Sequence, residues 1–262
     1  MHRFSIIIVT WNALHHLKNY LPSVVATRHE NFEIIIADNN STDGTAQWVR
    51  QNYPSVKIKT FDRNYGYCGG NNRGAREVTG DILLFLNNDV RVEPDWLDAI
   101  ETSFSRHPDT AVVQPKMLSD RDPSGFEYAG AAGGHMDYLG YTFCRGRLFQ
   151  TLEADEGQYD EEASLFWASG AAFAIRKEQF EEMGGFDEDF EFHMEEIDLC
   201  WGLLNLGYEI RYTPDSTVYH LGGGSLSMED PKKLYYNFRN SLVMLLKNYS
   251  TPSLFKRLPV RI

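Results

Sequence analysis

The chain has 262 residues, 37 acidic and 25 basic, for a formal charge of −12, a length that suits one large domain or two small ones. Its 42% hydrophobic and 13% aromatic content can fill a core, which excludes a mostly disordered chain, and no stretch nears the roughly 18–20 apolar residues of a membrane-crossing helix. The charge is unevenly spread, −2 over residues 1–152, −17 over 153–230 and +7 over 231–262, so the body lacks the basic footprint of a nucleic-acid binder.

The opening Met1, His2 and Arg3 are not followed by the long apolar region of a signal peptide. Residues 5–10 form a β-branched apolar run, predicted as a buried parallel strand. Leu14, Leu17, Leu21 and Val24 follow at helical spacing. A second buried strand is expected over 32–37, ending in a polar turn, residues 38–44, that caps a helix from about Thr45. A third strand over 56–61 precedes a glycine-rich stretch, 66–74, that leads into a short helix. A fourth strand over 81–86 stops at Asn87, Asn88 and Asp89; Pro94 opens a helix to about His107; a fifth strand covers 111–115. Alternation at this spacing predicts an α/β fold with a parallel sheet.

Residues 119–165 mix glycine, aromatics and acids and read as loops or an insertion, and the six acids of 153–162 read as a solvated surface run. Strand-like pattern resumes over 166–175, with a short helix over 178–186 and another over 195–206. Strand candidates at 208–212 and 216–219 end at His220, and a final amphipathic helix is expected over 232–249, followed by a basic tail. Cys68, Cys144 and Cys200 are scattered and odd in number, which points to free thiols in a reducing compartment.

Ligands of open parallel sheets bind beyond the carboxyl ends of the strands. Thr10 with Asn12, Asp38 with Asn40, and Asn88 with Asp89 all stand at such ends, so they are expected to converge on one crevice. Asp38 can accept from a nucleobase or ribose hydroxyl, or form an Asx turn. Asp89, ending an apolar strand, suits a hard divalent cation completed by diphosphate oxygens, or caps the following helix. Glu195, Glu196 and Asp198 at a helix start exceed what the macrodipole needs, and a carboxylate there can serve as a general base. His220, followed by three glycines at 222–224, is a ligand candidate or a structural histidine. The chain has no dinucleotide-binding G-x-G-x-x-G after its first strand, no P-loop, and no zincin or hydrolase signature.

Residues 5–12, 36–44, 64–74, 86–89, 184–187, 195–199 and 220–222 resemble, in order, the motifs of family 2 glycosyltransferases of the GT-A fold, above all bacterial rhamnosyltransferase-like members. The resemblance covers about residues 4–248. It implies a mainly parallel central sheet flanked by helices, with a Rossmann-like nucleotide-sugar-binding half (1–115), an acceptor and catalytic half (116–230), and a C-terminal helix and basic tail (231–262). It implies inverting transfer of a sugar from a UDP- or dTDP-sugar to a glycan or lipid-linked glycan in cell-surface polysaccharide or glycoconjugate synthesis. Asp38, Thr10, Asn12 and Asn72 would hold the donor. Asp89, at the last acid of the family's D-x-D position, and His220 would hold Mn2+ or Mg2+. Glu196, at the second acid of the family's E-D pair, would be the base, with Glu195 beside it. The expected location is the cytoplasm, and the basic amphipathic C-terminal segment either lies against the anionic inner face of the membrane or packs on the domain as an ordinary helix. A nucleotidyltransferase is a rival, disfavoured because no glycine-rich basic loop follows the first strand. A non-catalytic glycan- or nucleotide-binding module is another, separable by donor hydrolysis or transfer.

Overall fold

The computed structural model describes residues 1–222 and 231–261. The elements run β1 (Phe4–Thr10), α1 (Leu14–Val25), β2 (Phe32–Asp38), α2 (Thr45–Asn52), β3 (Lys57–Thr60), α3 (Gly66–Ala75), β4 (Ile82–Leu86), β5 (Val90–Val92), α4 (Trp96–Arg106) and β6 (Thr110–Ser119). The second half has the short strands β7 (Gly134–Met136), β8 (Thr142–Cys144), β9 (Arg147–Leu148), β10 (Thr151–Leu152) and β11 (Ala163–Leu165). It continues with β12 (Ala172–Arg176), α5 (Lys177–Glu182), α6 (Glu195–Asn205), β13 (Glu209–His220), α7 (Pro231–Asn248) and α8 (Thr251–Arg261).

Among the described residues, nine strands form one sheet in the order β11-β13-β6-β12-β4-β1-β2-β3, with β5 pairing β13. β4, β1, β2 and β3 are mutually parallel, as are β6 and β13, whereas β12 runs antiparallel to both β4 and β6. That reversal brings the residues just before β12 to the edge where β1, β2, β4, β6 and β13 end. Alternate side chains of the first strands enter two cores. Ile7, Ile35, Leu83 and Phe85 face one side, and Ile6, Ile8, Ile34, Ile36 and Leu84 face the other, where Leu17, Leu21, Trp96, Leu97 and Phe104 cover them. Burial on both faces explains why these strands read as unbroken apolar runs.

The glycine-rich stretch is helix α3 pressed onto the sheet. A Cβ at Gly70 would lie 2.9 Å from Val9 and one at Gly74 2.8 Å from Ile7, so these glycines permit close helix–strand contact rather than a phosphate cradle. The two strand candidates at 208–212 and 216–219 are one long strand, β13, with a register shift between Thr213 and Thr217 opposite Pro115 and Lys116; the bulge accommodates prolines on both strands.

The acidic run at 153–162 is not simply solvated. Asp155 accepts from the buried Lys116 at 2.9 Å and Asp160 pairs with the same ammonium. Glu153 accepts from Tyr159 at 3.0 Å, and Glu162 pairs His107 at 3.1 Å. The run therefore closes over a strand residue whose charge a surface reading had no means to place. The presumed tail is also helical, from Thr251 to Arg261. All three cysteines are free and buried, as expected of thiols that take no part in disulfides.

Candidate active site

At the end of β1, Thr10 is buried, and its carbonyl accepts from Asn39 N at 2.9 Å while its hydroxyl accepts from Asn88 Nδ2 at 3.3 Å. Asn12, in the left-handed region (φ 49°), accepts from Thr42 N at 2.8 Å and its own N–H donates to Ser41 Oγ at 2.9 Å. Asp43 finishes this wall by accepting from Leu14 N at 2.9 Å and Thr45 N at 3.1 Å, capping α1 and α2 together. Asp38 is fully buried: Oδ1 accepts from Ser41 N at 3.0 Å, and Oδ2 has no partner. A buried carboxylate oxygen left without a donor is costly, and this one suits a ribose hydroxyl or base N–H. Asn40, exposed and left-handed (φ 64°), turns the chain out of β2.

The antiparallel pairing of β5 with β13 sets His220 opposite Val90, directly after Asp89. His220 Nε2 lies 3.2 Å from Asp89 Oδ1, and Nδ1 lies 3.3 Å from Glu127 Oε1; all three groups are buried. Burial alone would lower the histidine, but its contacts to Asp89 and Glu127 outweigh this and hold it up at about 10. Burial likewise opposes charge on Asp89, and the His220 contact, with the nearby His16, keeps that carboxyl below its ordinary range. Among the described residues no three acidic, histidine or cysteine side chains converge as a closed metal cage. The Asp89 carboxylate and, once a cation displaces the proton of Nε2, the imidazole lone pair would together fit a divalent cation completed by substrate oxygens.

The third component sits at the start of α6. Glu195 is buried, and burial with the charge of Glu196 beside it drives its carboxyl well above the usual range. Glu196 is partly buried and is pushed up to about 7 by burial, partly offset by the N–H groups of Glu196 itself, Gly170 and Ile197. Gly170 stands two residues before the start of the antiparallel β12, and its carbonyl accepts from Tyr67 Oη at 2.6 Å. The sheet reversal thus brings Glu196 to the common edge. A carboxyl titrating near neutrality is matched to general-base work; Glu195 is more deeply buried and shifted further.

The turn entering α6 is strained. Glu191, His193 and Met194 all adopt positive φ, at 54°, 65° and 73°, each at a cost of order 1 kcal/mol or more. Asn240 of α7, fully buried, holds this turn by donating Nδ2 to the carbonyls of Phe190 (2.6 Å), Phe192 (2.6 Å) and His193 (2.9 Å). Lys247 of α7 donates to Asp187 and Asp198, both at 2.6 Å, so Asp198 is a structural anchor.

Asn72 stands apart from its expected role. Its Nδ2 donates to Phe186 O at 2.8 Å and its Oδ1 accepts from Phe186 N at 2.9 Å. Both ends of the amide are thereby occupied by main chain, leaving a clamp between α3 and the 184–187 turn rather than a donor ligand. Gly185 (φ 84°) makes room for it, since a Cβ there would lie 2.6 Å from Asn72 Oδ1. Of the glycines after His220, Gly223 and Gly224 lie outside the described residues. Sequence reasoning missed Glu127 and Asn240: Glu127 lies in an irregular segment, and Asn240 on a helix whose pattern announces only amphipathicity.

Residues 5–184 match the family model described as glycosyl transferase family 2. The chain is 28% identical over 263 residues to an N-acetylglucosaminyl-diphospho-decaprenol L-rhamnosyltransferase of Mycobacterium tuberculosis, covering 94% of this chain and 84% of that protein. It is 23% identical to the dTDP-rhamnosyl transferase RfbF of Shigella flexneri, covering 93% and 80% of the two. In structure it resembles GalNAc-T7, solved with UDP, GalNAc and Mn2+, with a TM-score of 0.72 and 17% identity over 94% of this chain and 48% of that one. With the sheet, the edge and its acidic residues in place, the matches make this chain a glycosyltransferase of family 2, rhamnosyltransferase-like in sequence and GT-A in fold.

Proposed function

We propose that this chain is an inverting glycosyltransferase that moves a sugar from a UDP- or dTDP-sugar to a hydroxyl of a glycan or lipid-linked glycan, in cell-surface polysaccharide or glycoconjugate synthesis. The observation that carries this reading is the meeting, along one sheet edge, of the unpartnered Asp38 oxygen, the Asp89–His220 pair and Glu196. The names of the relatives, one acting on a diphospho-decaprenol acceptor and one on dTDP-rhamnose, support the donor and acceptor classes.

Asp38 binds the nucleoside, walled by Thr10, Asn12, Asn40 and Asn88. Asp89 and His220 would hold Mn2+ or Mg2+, which supplies neutralisation of the charge on the departing diphosphate. Glu196 accepts the proton of the acceptor hydroxyl as that oxygen bonds to the anomeric carbon. The bond to the diphosphate oxygen breaks in the same displacement, and the nucleoside diphosphate leaves with its electron pair. One displacement inverts the anomeric centre. Residues 1–115 serve as the nucleotide half and 116–230 as the acceptor half, with the 231–262 segment joined to the latter through Asn240 and Lys247.

The test is a thermal-shift panel of UDP- and dTDP-sugars with Mn2+, Mg2+ or EDTA, since binding raises apparent stability. A donor-specific rise that needs the cation and is lost in Asp38→Ala and Asp89→Ala is expected, followed by an inverted product in the NMR spectrum. A retained anomeric configuration refutes the mechanism. Activity undiminished in EDTA refutes the metal.

We also propose that the C-terminal helices contact an anionic membrane surface at the cytoplasmic face. Residues 231–262 carry seven bases and no acid. α7 exposes Tyr235, Phe238, Leu242 and Leu246 along one stripe, each at least 42% accessible, and α8 exposes Phe255 (81%) and Val260 (68%). Arg257 lies 4.2 Å over the ring of Tyr138 and Arg261 4.3 Å over Tyr141, which joins α8 to the 137–141 turn. Apolar and aromatic side chains interleaved with cations suit anionic headgroups. Sedimentation with phosphatidylglycerol vesicles, weakened by salt and by Phe255→Glu, is expected; no binding at low salt refutes the contact.

A further inference from the structure

We infer that Glu127 is a positioning residue for His220, orienting the imidazole so that Nε2 faces Asp89 and a bound divalent cation; the inference rests on the metal reading proposed above. Glu127 lies on the irregular segment after β6, outside every sequence motif of the site. It is only 5% exposed. Its own N–H donates to Met117 O at 3.0 Å, which fixes the segment against β6. Its Oε2 accepts from Ala129 N at 2.6 Å, which fixes the carboxylate. Oε1 is then set 3.3 Å from His220 Nδ1, in a bent ion-pair contact.

The histidine is equally constrained. Leu221 N donates to Asp89 O at 3.1 Å and Asp120 N donates to His220 O at 3.0 Å, so both polar groups of the peptide that follows the ring are held to neighbouring segments. Gly222, left-handed at φ 65°, would place a Cβ 3.3 Å from Glu127 Oε1. The absence of a side chain there keeps the space in which Glu127 reaches the ring.

The chemistry follows from the two ring nitrogens. A neutral imidazole offers one N–H and one lone pair. When a cation displaces the Nε2 proton, a carboxylate at Nδ1 keeps the remaining proton on that nitrogen and leaves the Nε2 lone pair on the side of Asp89. Carboxylates behind ligating histidines fix tautomer and ring orientation, and their loss weakens metal affinity by about 10–100-fold.

The test is an EPR titration of Mn2+ into the full chain, alone and with UDP, for wild type, Glu127→Gln, Glu127→Ala and His220→Ala. Glu127→Ala is expected to bind Mn2+ about 10–100-fold more weakly. Glu127→Gln should fall between it and wild type, because the amide keeps an oxygen dipole facing Nδ1 and loses the charge. UDP binding in EDTA should not change. A folded Glu127→Ala within twofold of wild type overturns the inference while leaving the metal reading intact, and so does Glu127→Gln binding as weakly as Glu127→Ala. Independently of either variant, the 15N spectrum of wild-type His220 with Mg2+ should show its proton on Nδ1; a proton on Nε2 overturns the inference. If wild type binds no Mn2+ with or without UDP, the metal reading fails and this inference with it.

Discussion

Asn240→Leu probes how the C-terminal helix supports the turn that precedes Glu195 and Glu196. The side chain keeps the branching and heavy-atom count of asparagine, is somewhat bulkier, and loses every hydrogen bond. The Asn240 amide has two hydrogens, shared among the carbonyls of Phe190, Phe192 and His193. Each buried carbonyl left without a donor costs about 1–3 kcal/mol, so two lost bonds amount to about 2–6 kcal/mol. The upper end is not expected. The left-handed residues Glu191, His193 and Met194 each hold strain of order 1–3 kcal/mol, and opening the turn to water releases some of it. The expected result is therefore a loss of about 2–4 kcal/mol in urea denaturation. Amide hydrogen exchange should accelerate first over 190–198, before the central strands respond. Asn240→Asp should be harmful too, since a carboxylate cannot donate to carbonyls. A Leu variant within about 0.5 kcal/mol of wild type, with unchanged exchange over 190–198, would refute the idea that this amide holds the turn.

Glu195 and Glu196 titrate above their unfolded-state values, so their contribution to stability is present in acid and is lost as pH rises, through about 7 for Glu196. Glu196→Gln should consequently melt higher than wild type at pH 8 and show little difference at pH 4; a lower melting temperature at pH 8 contradicts the assignment. Turnover of wild type should rise with pH through about 7 as Glu196 loses its proton, and Glu196→Gln should reduce it by roughly 10²–10⁴-fold. Gly185→Ala combines a positive φ with a Cβ 2.6 Å from Asn72 Oδ1 and should destabilise by at least about 1 kcal/mol; a neutral denaturation midpoint would show that the Asn72 clamp yields. Lys116→Met removes the ammonium shared by Asp155 and Asp160 and should raise protease cleavage within 153–162, while unchanged cleavage would show that the run is held by other contacts.

The sheet of the first half was legible because its information is local. Residues 5–10, 32–37 and 81–86 are short apolar runs punctuated by polar turns, and parallel strands buried on both faces must look like that. Thr10, Asp38 and Asp89 were legible for a related reason: a polar residue ending such a run has one edge of the sheet available to it. Glu195 and Glu196 stood out as acids beyond what a helix start requires, though only their folded surroundings distinguish them: burial and the charge of Glu196 drive Glu195 far above the carboxylate range, and burial offset by main-chain N–H groups leaves Glu196 near 7.

What tertiary structure decided depends on contacts distant in sequence. Family resemblance assigns Asn72 to the donor, yet its amide meets Phe186 across 114 residues and bonds main chain there. The acids of 153–162 looked solvated until a lysine on β6 appeared beneath them. Glu127 carries no signal in its own segment, and its relation to His220 exists only because β13 returns beside β5 and β6. Asn240 likewise acquires its task from a strained turn nearly fifty residues earlier. Chain periodicity determines which faces are buried, because hydrophobic burial is repeated at every turn of a helix or pleat of a strand. A single polar contact is made once, and which partner it finds is settled only when the sheet order closes the loops around it.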